Sequence, residues 1–172
     1  TCYVCNGNVK YVSSHERNLC GKKVHVCSYY AHVGKCGRKD CYNQESVEHK
    51  AAKHTISLLA HKWKFYYRCK ECGEKQHVSV YGGVDDVFSE EVHWKKFKLD
   101  VGIKNVNGEI VGAVEVVYSH PCTSEKIEKF WEENIGWVEV QAKTVLSAHK
   151  NGVYDVEVLK CHHNFCENCK SK

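Results

Sequence analysis

Apolar positions change their period several times along this chain, and the changes divide it. Residues 1–44 hold short alternating stretches, at 8–13 and 23–30, with no helical period. From 45 to 62, Val47, Ala51, Ile56, Leu58 and Leu59 form an imperfect stripe uninterrupted by glycine or proline, which predicts a helix. Residues 63–68 and 76–81 read as strands on either side of Cys69-Lys70-Glu71-Cys72-Gly73. Gly82-Gly83 and Asp85-Asp86 mark a loop, and strands are predicted beyond it at 92–104, 109–118, 136–142 and 153–159. A helix at 124–134 separates the second of these strands from the third, with Ile127, Phe130, Trp131 and Asn134 or Ile135 on its buried stripe. The order helix, hairpin, helix, strand predicts an α/β sandwich with a mixed sheet.

Composition narrows the class. A chain of 172 residues allows one main domain with a small appendage, here a cysteine-rich N-terminal segment over 1–44 and an α/β domain over 45–172. Hydrophobic content of 42 %, charged content of 27 % and a single proline describe a globular protein rather than a disordered one. No apolar run is long enough to span a membrane, so no membrane partner is expected. The opening Thr1-Cys2-Tyr3-Val4-Cys5 lacks the regions of a secretory signal, which sets the expectation of an intracellular protein, in cytoplasm or nucleus. The net charge of +4 is spread along the chain, so it permits nucleic-acid binding without demanding it.

Twelve cysteines change the picture more. Several stand as Cys-x-x-Cys pairs with histidines nearby and no Asn-x-Ser/Thr site accompanies them, a pattern that favours zinc over disulfides. Cys69 and Cys72 form a zinc-ribbon half site, and the C-terminal run Cys161-His162-His163-Asn164-Phe165-Cys166-Glu167-Asn168-Cys169 can complete it. Cys166 and Cys169 are the simplest partners, with Cys161 and His163 as substitutes. In the N-terminal segment, Cys2, Cys5, Cys20 and Cys27 can place four thiolates around a second zinc, in competition with His25, His32, Cys36 and Cys41. Four thiolates leave no open position, so zinc here is structural.

The remaining candidate chemistry is acidic. Asp100 and Glu115 lie on neighbouring predicted strands joined by a loop carrying Asn107-Gly108, a turn-forming dipeptide, so a hairpin brings the two carboxylates together. Such a pair can hold Mg²⁺ or Mn²⁺ through hard oxygen ligands and so serve phosphodiester hydrolysis. The plainer reading places both acids on the solvated faces of ordinary strands. Glu48 and His49 occupy the first turns of the 45–62 helix, where acids also serve as capping charges. Lys126 opens the second helix, at a small dipole cost that an exposed surface tolerates, and can lean over the end of the preceding strand. Glu139 and Gln141 share a strand face and form a competing acid-x-glutamine motif.

The run Tyr29-Tyr30-Ala31-His32, then Glu45-Ser46-Val47-Glu48-His49-Lys50-Ala51-Ala52-Lys53, then the ribbon, Asp100 and Val114-Glu115-Val116-Val117-Tyr118-Ser119-His120 resembles the competence-protein CoiA-like family of the PD-(D/E)xK, restriction-endonuclease-like superfamily. The resemblance spans most of the chain, from about Cys2 to Gln141. It implies a restriction-endonuclease-like core and a Mg²⁺- or Mn²⁺-dependent endonuclease on nucleic acid, with DNA the expected substrate. Asp100 and Glu115 would be its metal-binding acids, with the Glu48-His49 region contributing from the first helix. One departure is clear: the lysine or glutamine expected two residues after the second acid is Val117. Lys126 can supply that charge from the following helix, as relocated lysines do elsewhere in the superfamily, and His120 or His49 can relay a proton. Lys62, Lys64, Arg68 and Lys95 are candidates to track a phosphate backbone. Two other classes compete. One is a zinc-containing nucleic-acid-binding module on a decayed nuclease fold; the other is a protein-interaction module anchored by Trp63, Tyr66, Tyr67 and Trp94.

Overall fold

A computed structural model describes residues 7–19, 22–26, 29–33, 46–118, 121–162, 166 and 169. The chain divides into two compact units, Thr1–Val47 and Glu48–Lys172. In the first, β1 (Val9–Val12) pairs antiparallel with β4 (Tyr29–His32), and β2 (His15–Leu19) pairs antiparallel with β3 (Lys22–Val26). This gives one hairpin nested inside another. Cys2, Cys5, Cys20 and Cys27, the proposed ligands of the N-terminal zinc, lie outside the described residues, as do Cys36 and Cys41.

The second unit opens with α1 (Val47–Leu59) and a short 3₁₀ turn (Ala60–Lys62), then β5 (Lys64–Arg68) and β6 (Lys75–Val78). It continues through β7 (Val87–Trp94), β8 (Phe97–Lys104), β9 (Ile110–Val117), α2 (Ser124–Glu132), β10 (Gly136–Gln141), α3 (Ala142–Lys150), β11 (Asp155–Glu157) and β12 (Lys160–Cys161). Five strands form a mixed sheet in the order β12-β10-β9-β8-β7, and three more form the order β11-β5-β6. Within the larger sheet β9 and β10 are parallel, and α2 is the crossover that a parallel pair needs. The expected mixed α/β architecture is therefore present. Among the described residues, no helix is long and apolar enough to cross a membrane.

The large sheet carries a core on each face. Val101, Ile103, Val114, Val116, Val138 and Val140 pack with Ala52 and Ile56 of α1 and with Val145 of α3. Ala113 and Trp137 pack with Phe130 of α2, Ile135 and Trp94. Burial on both sides explains why 113–117 and 137–140 read as apolar runs interrupted only by Glu115 and Glu139. The approach of the chain at Val80 is close enough to dictate residue type on β9. A Cβ on Gly112 would lie 1.7 Å from the Val80 carbonyl oxygen, so only glycine fits.

Several elements differ from the sequence expectation. The strand predicted over 92–104 is two strands, β7 and β8, turning at Lys95 with φ 53°; no glycine or asparagine marks that turn. The hairpin between β8 and β9 is longer than an Asn-Gly two-residue turn. Asn105 Oδ1 accepts from the amides of Asn107 and Glu109, and of the dipeptide only Gly108 takes a positive φ, 79°. Helix α3, which was not predicted, follows β10 without a loop and without a side-chain N-cap, the signals that ordinarily announce a helix. The proposed aromatic anchors are also corrected. Trp63 and Trp94 are buried, at 1 % and 9 % exposure, and serve the core.

Candidate functional site

The acid pair sits where the sheet forks. The β8–β9 ladder ends at Val101↔Val114, one position short of Asp100 and Glu115, while β9 stays in register with β10 as far as Val117↔Gln141. In place of the next ladder bond, Asp100 Oδ2 accepts the Val116 amide at 2.8 Å. The same oxygen meets His49 Nε2 at 3.1 Å, which ties α1 to the fork. Lys53 Nζ lies 4.0 Å from the other oxygen, Oδ1, and is paired with Glu91.

Lys126 reaches the second acid. Its Nζ donates to Glu115 Oε2 at 2.5 Å and to the Lys98 carbonyl at 2.7 Å. Thr123 caps the helix that delivers it, accepting the Lys126 amide at 3.4 Å. The expectation of an exposed Lys126 fails, because the residue is 8 % exposed and its ammonium is held against a carboxylate that is itself buried. Such a pair is a weak stabiliser, since desolvating both charges offsets most of their attraction. Glu115 Oε1 is buried with no hydrogen-bond partner, an arrangement that costs about 1–3 kcal/mol in an apolar site.

Electrostatics separates the two acids. Burial, with the Asp100 charge in support, outweighs the opposing pull of Lys126 and leaves Glu115 raised to about 7. Burial also opposes the ionised form of Asp100, but the His49 hydrogen bond and charge, the Val116 amide and Lys53 outweigh it and hold this carboxyl below its ordinary value. Two neighbouring carboxyls with divergent proton affinities are the arrangement from which acid–base chemistry is built.

Two residues that sequence reasoning passed over belong here. Lys53 is 2 % exposed, and Glu91 binds both Lys53 and Lys98 from a strained φ of 56°. Burial works to raise Glu91, yet the hydrogen bonds from Lys53 and Lys98 hold it at about 2. The signal for Lys53 was available: it stands four residues after His49 and beside Ala52 and Ile56, on the buried stripe of α1. Glu48 lies in the first turn of α1, half-buried, next to the residue that contacts Asp100. His120 lies outside the described residues. Glu139 stands level with Glu115 in the β9–β10 register and is buried; its Oε1 accepts the Cys122 amide, and Lys160 approaches Oε2 at 3.7 Å. Of the proposed backbone-tracking cations, Lys95 pairs with Glu133 and Arg68 lies 3.8 Å from Glu157. Lys62 lies over the Tyr154 ring, and Lys64 is exposed.

The second centre is sulfur. The Sγ atoms of Cys69, Cys72, Cys166 and Cys169 all lie within 4.8 Å of one another. Cys69 and Cys169 are 3.7 Å apart, and Cys72 and Cys166 3.5 Å apart. A tetrahedral zinc with Zn–S of about 2.3 Å separates its sulfurs by about 3.8 Å, so these four can hold a metal ion such as zinc. Hydrogen bonds act on these thiols in opposite directions. Amides of Cys72 and Glu71 donate to Cys69 and bring it down to about 7, whereas hydrogen bonds shared with Cys72 and Cys69 push Cys169 up to about 12. Cys161, on β12, is buried and is not one of the four, and His163 lies outside the described residues. Among the described residues, no other set of three or more His, Cys, Asp or Glu side chains converges this closely.

No protein-family model, curated protein or solved structure matches this chain.

Proposed function

We propose that the second unit is a divalent-metal-dependent phosphodiesterase of the PD-(D/E)xK type acting on nucleic acid, DNA in the first place, and that its four-cysteine cluster binds structural zinc. The observation that carries the reading is the Lys126–Glu115 contact beside an unpartnered, buried Glu115 Oε1. A lysine delivered from the helix after β9 meets the second acid, in the absence of a lysine at Val117. The donor set fits a hard cation that keeps most of its ligands as water and phosphate, since such ions commonly take only one or two protein carboxylates. Bound to Asp100 and Glu115, Mg²⁺ or Mn²⁺ would supply Lewis acidity and an activated water. The chain's own residues supply the rest. Asp100 stays ionised and is oriented by the Val116 amide and His49. Lys126 spends two of its three N–H donors on Glu115 and Lys98, which leaves the third for a phosphate oxygen. His49 is positioned to orient Asp100 and to exchange a proton at the cleft.

One observation favours a second reading, nucleic-acid binding without hydrolysis: Val117, 8 % exposed, puts an apolar side chain where the superfamily places its lysine. The two readings separate when zinc-loaded protein is incubated with plasmid, single-stranded DNA and RNA, with and without Mn²⁺. Metal-dependent cleavage that Asp100→Asn abolishes supports the enzyme. Salt-sensitive binding with no cleavage supports the second reading.

A further inference from the structure

A cavity of about 630 Å³ opens between the ribbon, α2 and β12. Tyr67 and Trp137 line it, and each carries a buried polar group with no partner, the Tyr67 hydroxyl and the Trp137 indole N–H. Trp137 is 2 % exposed, and its indole N–H is a buried donor in the cavity wall. Trp131 forms another wall; it stacks on His162 with centroids 4.3 Å apart and remains 47 % exposed, which makes it a braced aromatic surface rather than a core residue. The sequence pattern placed Trp131 on the buried stripe of its helix, and the structure brings it instead to the cavity edge. Arg68, Lys70 and Lys160 stand around the opening with Glu71 and Glu157, a net charge of +1, with Arg68 3.8 Å from Glu157 and Lys160 3.7 Å from Glu139.

Aromatic surface, buried donors and a rim with one net positive charge together fit a planar ring that bears hydrogen-bond acceptors and is attached to a phosphate. The position relative to the acids narrows the occupant further. Trp137 and Glu139 alternate on one face of β10, about 7 Å apart, and Glu139 is level with Glu115. Trp131 belongs to the same helix as Lys126. We propose that this cavity receives one unstacked nucleobase of a nucleic-acid strand whose phosphodiester lies at Asp100 and Glu115. The proposal rests on the nuclease reading and adds to it a preference for single-stranded or locally opened substrate, because a base inside a duplex cannot enter.

The test uses the indole N–H signals of the four tryptophans in ¹⁵N-labelled, zinc-loaded protein, without added magnesium or manganese. Nucleoside 5′-monophosphates and a short single-stranded oligonucleotide are titrated separately, so that a free nucleotide is distinguished from a base carried on a strand. The Trp131 and Trp137 signals are expected to move while Trp63 and Trp94 stay in place. Trp131→Ala should weaken oligonucleotide binding about tenfold or more. Tyr67→Phe, which removes one oxygen and retains the ring, should weaken it severalfold with zinc content unchanged. Static Trp131 and Trp137 signals at saturating oligonucleotide would overturn the pocket, as would unchanged affinity in both variants. Movement of these signals by mononucleotide alone would also overturn it as a strand-binding site. Failure of the nuclease reading looks different: the indole signals move and the variants bind weakly, but no condition gives cleavage.

Discussion

Zinc bound at the proposed cysteine site should tighten the fold by a calculable amount, which its removal would reverse. The two sulfur contacts join residues 100 and 94 positions apart in sequence, so a bound ion closes a loop of nearly the whole second unit. Chain-entropy arguments put such a closure at about 5 kcal/mol for a loop on the order of 100 residues. For a domain of this size that corresponds to a fall in melting temperature of roughly 10–20 °C. The assay is thermal unfolding, followed by circular dichroism, of reduced protein with and without a zinc-selective chelator; released metal is quantified in parallel and zinc is added back. Cys72→Ser should reproduce the chelator's effect and abolish its further action. Proton release sets the direction with pH: thiols must ionise to bind, Cys169 is pushed up to about 12, and metal affinity therefore rises with pH. A melting temperature that moves by less than about 3 °C after demonstrated metal loss would refute the staple argument.

Other predictions follow from the fork. Glu115 has a folded pKa of about 7, above its ordinary 4.5, so its stabilising contribution is complete below pH 4.5 and is lost as pH rises through 7. Glu115→Gln should remove that loss, worth about 3 kcal/mol between pH 4.5 and 8, as read from urea denaturation across that range. Glu91→Gln should destabilise more than Lys53→Met, because the first takes the nearest carboxylate charge from a 2 % exposed ammonium, with Asp100 Oδ1 4.0 Å away, and the second leaves a carboxylate that reaches solvent; paired denaturation curves decide the order. Lys126→Met should raise the Glu115 pKa further and slow cleavage about 100-fold or more, measured by NMR titration and by rate at saturating metal. Gly112→Ala should fail to fold or lose several kcal/mol, since its Cβ meets the Val80 carbonyl, and soluble yield with a melting curve tests this.

What could be read from residue order and what could not divides along physical lines. Periodicity located the 124–134 helix and the strands around 100 and 115 because each buries a continuous face. Cys-x-x-Cys spacing pointed to the sulfur cluster because two knuckles impose their own geometry. Misses arose where a local signal was absent or misleading. The Lys95 turn lacks a turn residue, α3 lacks a cap, and Lys126 looked like a surface lysine because nothing local records the carboxylate that buries it. The aromatic residues misled for the opposite reason. Trp63 and Trp131 are equally large and apolar, yet tertiary packing buries the first completely and leaves the second at a cavity edge. Glu91 and Lys53 form their contact across 38 residues, a separation that periodicity does not encode.

The central claim is that Asp100, Glu115 and Lys126 hydrolyse phosphodiesters with a divalent cation. The most direct test is the cleavage rate of end-labelled single-stranded DNA in Mn²⁺ by the wild-type protein and by Glu115→Gln, both zinc-loaded and with matching circular dichroism. Mn²⁺-dependent cleavage is expected, slowed at least about 100-fold by Glu115→Gln. Equal rates in the two proteins, or no cleavage by the wild type at any Mn²⁺ concentration, would contradict it.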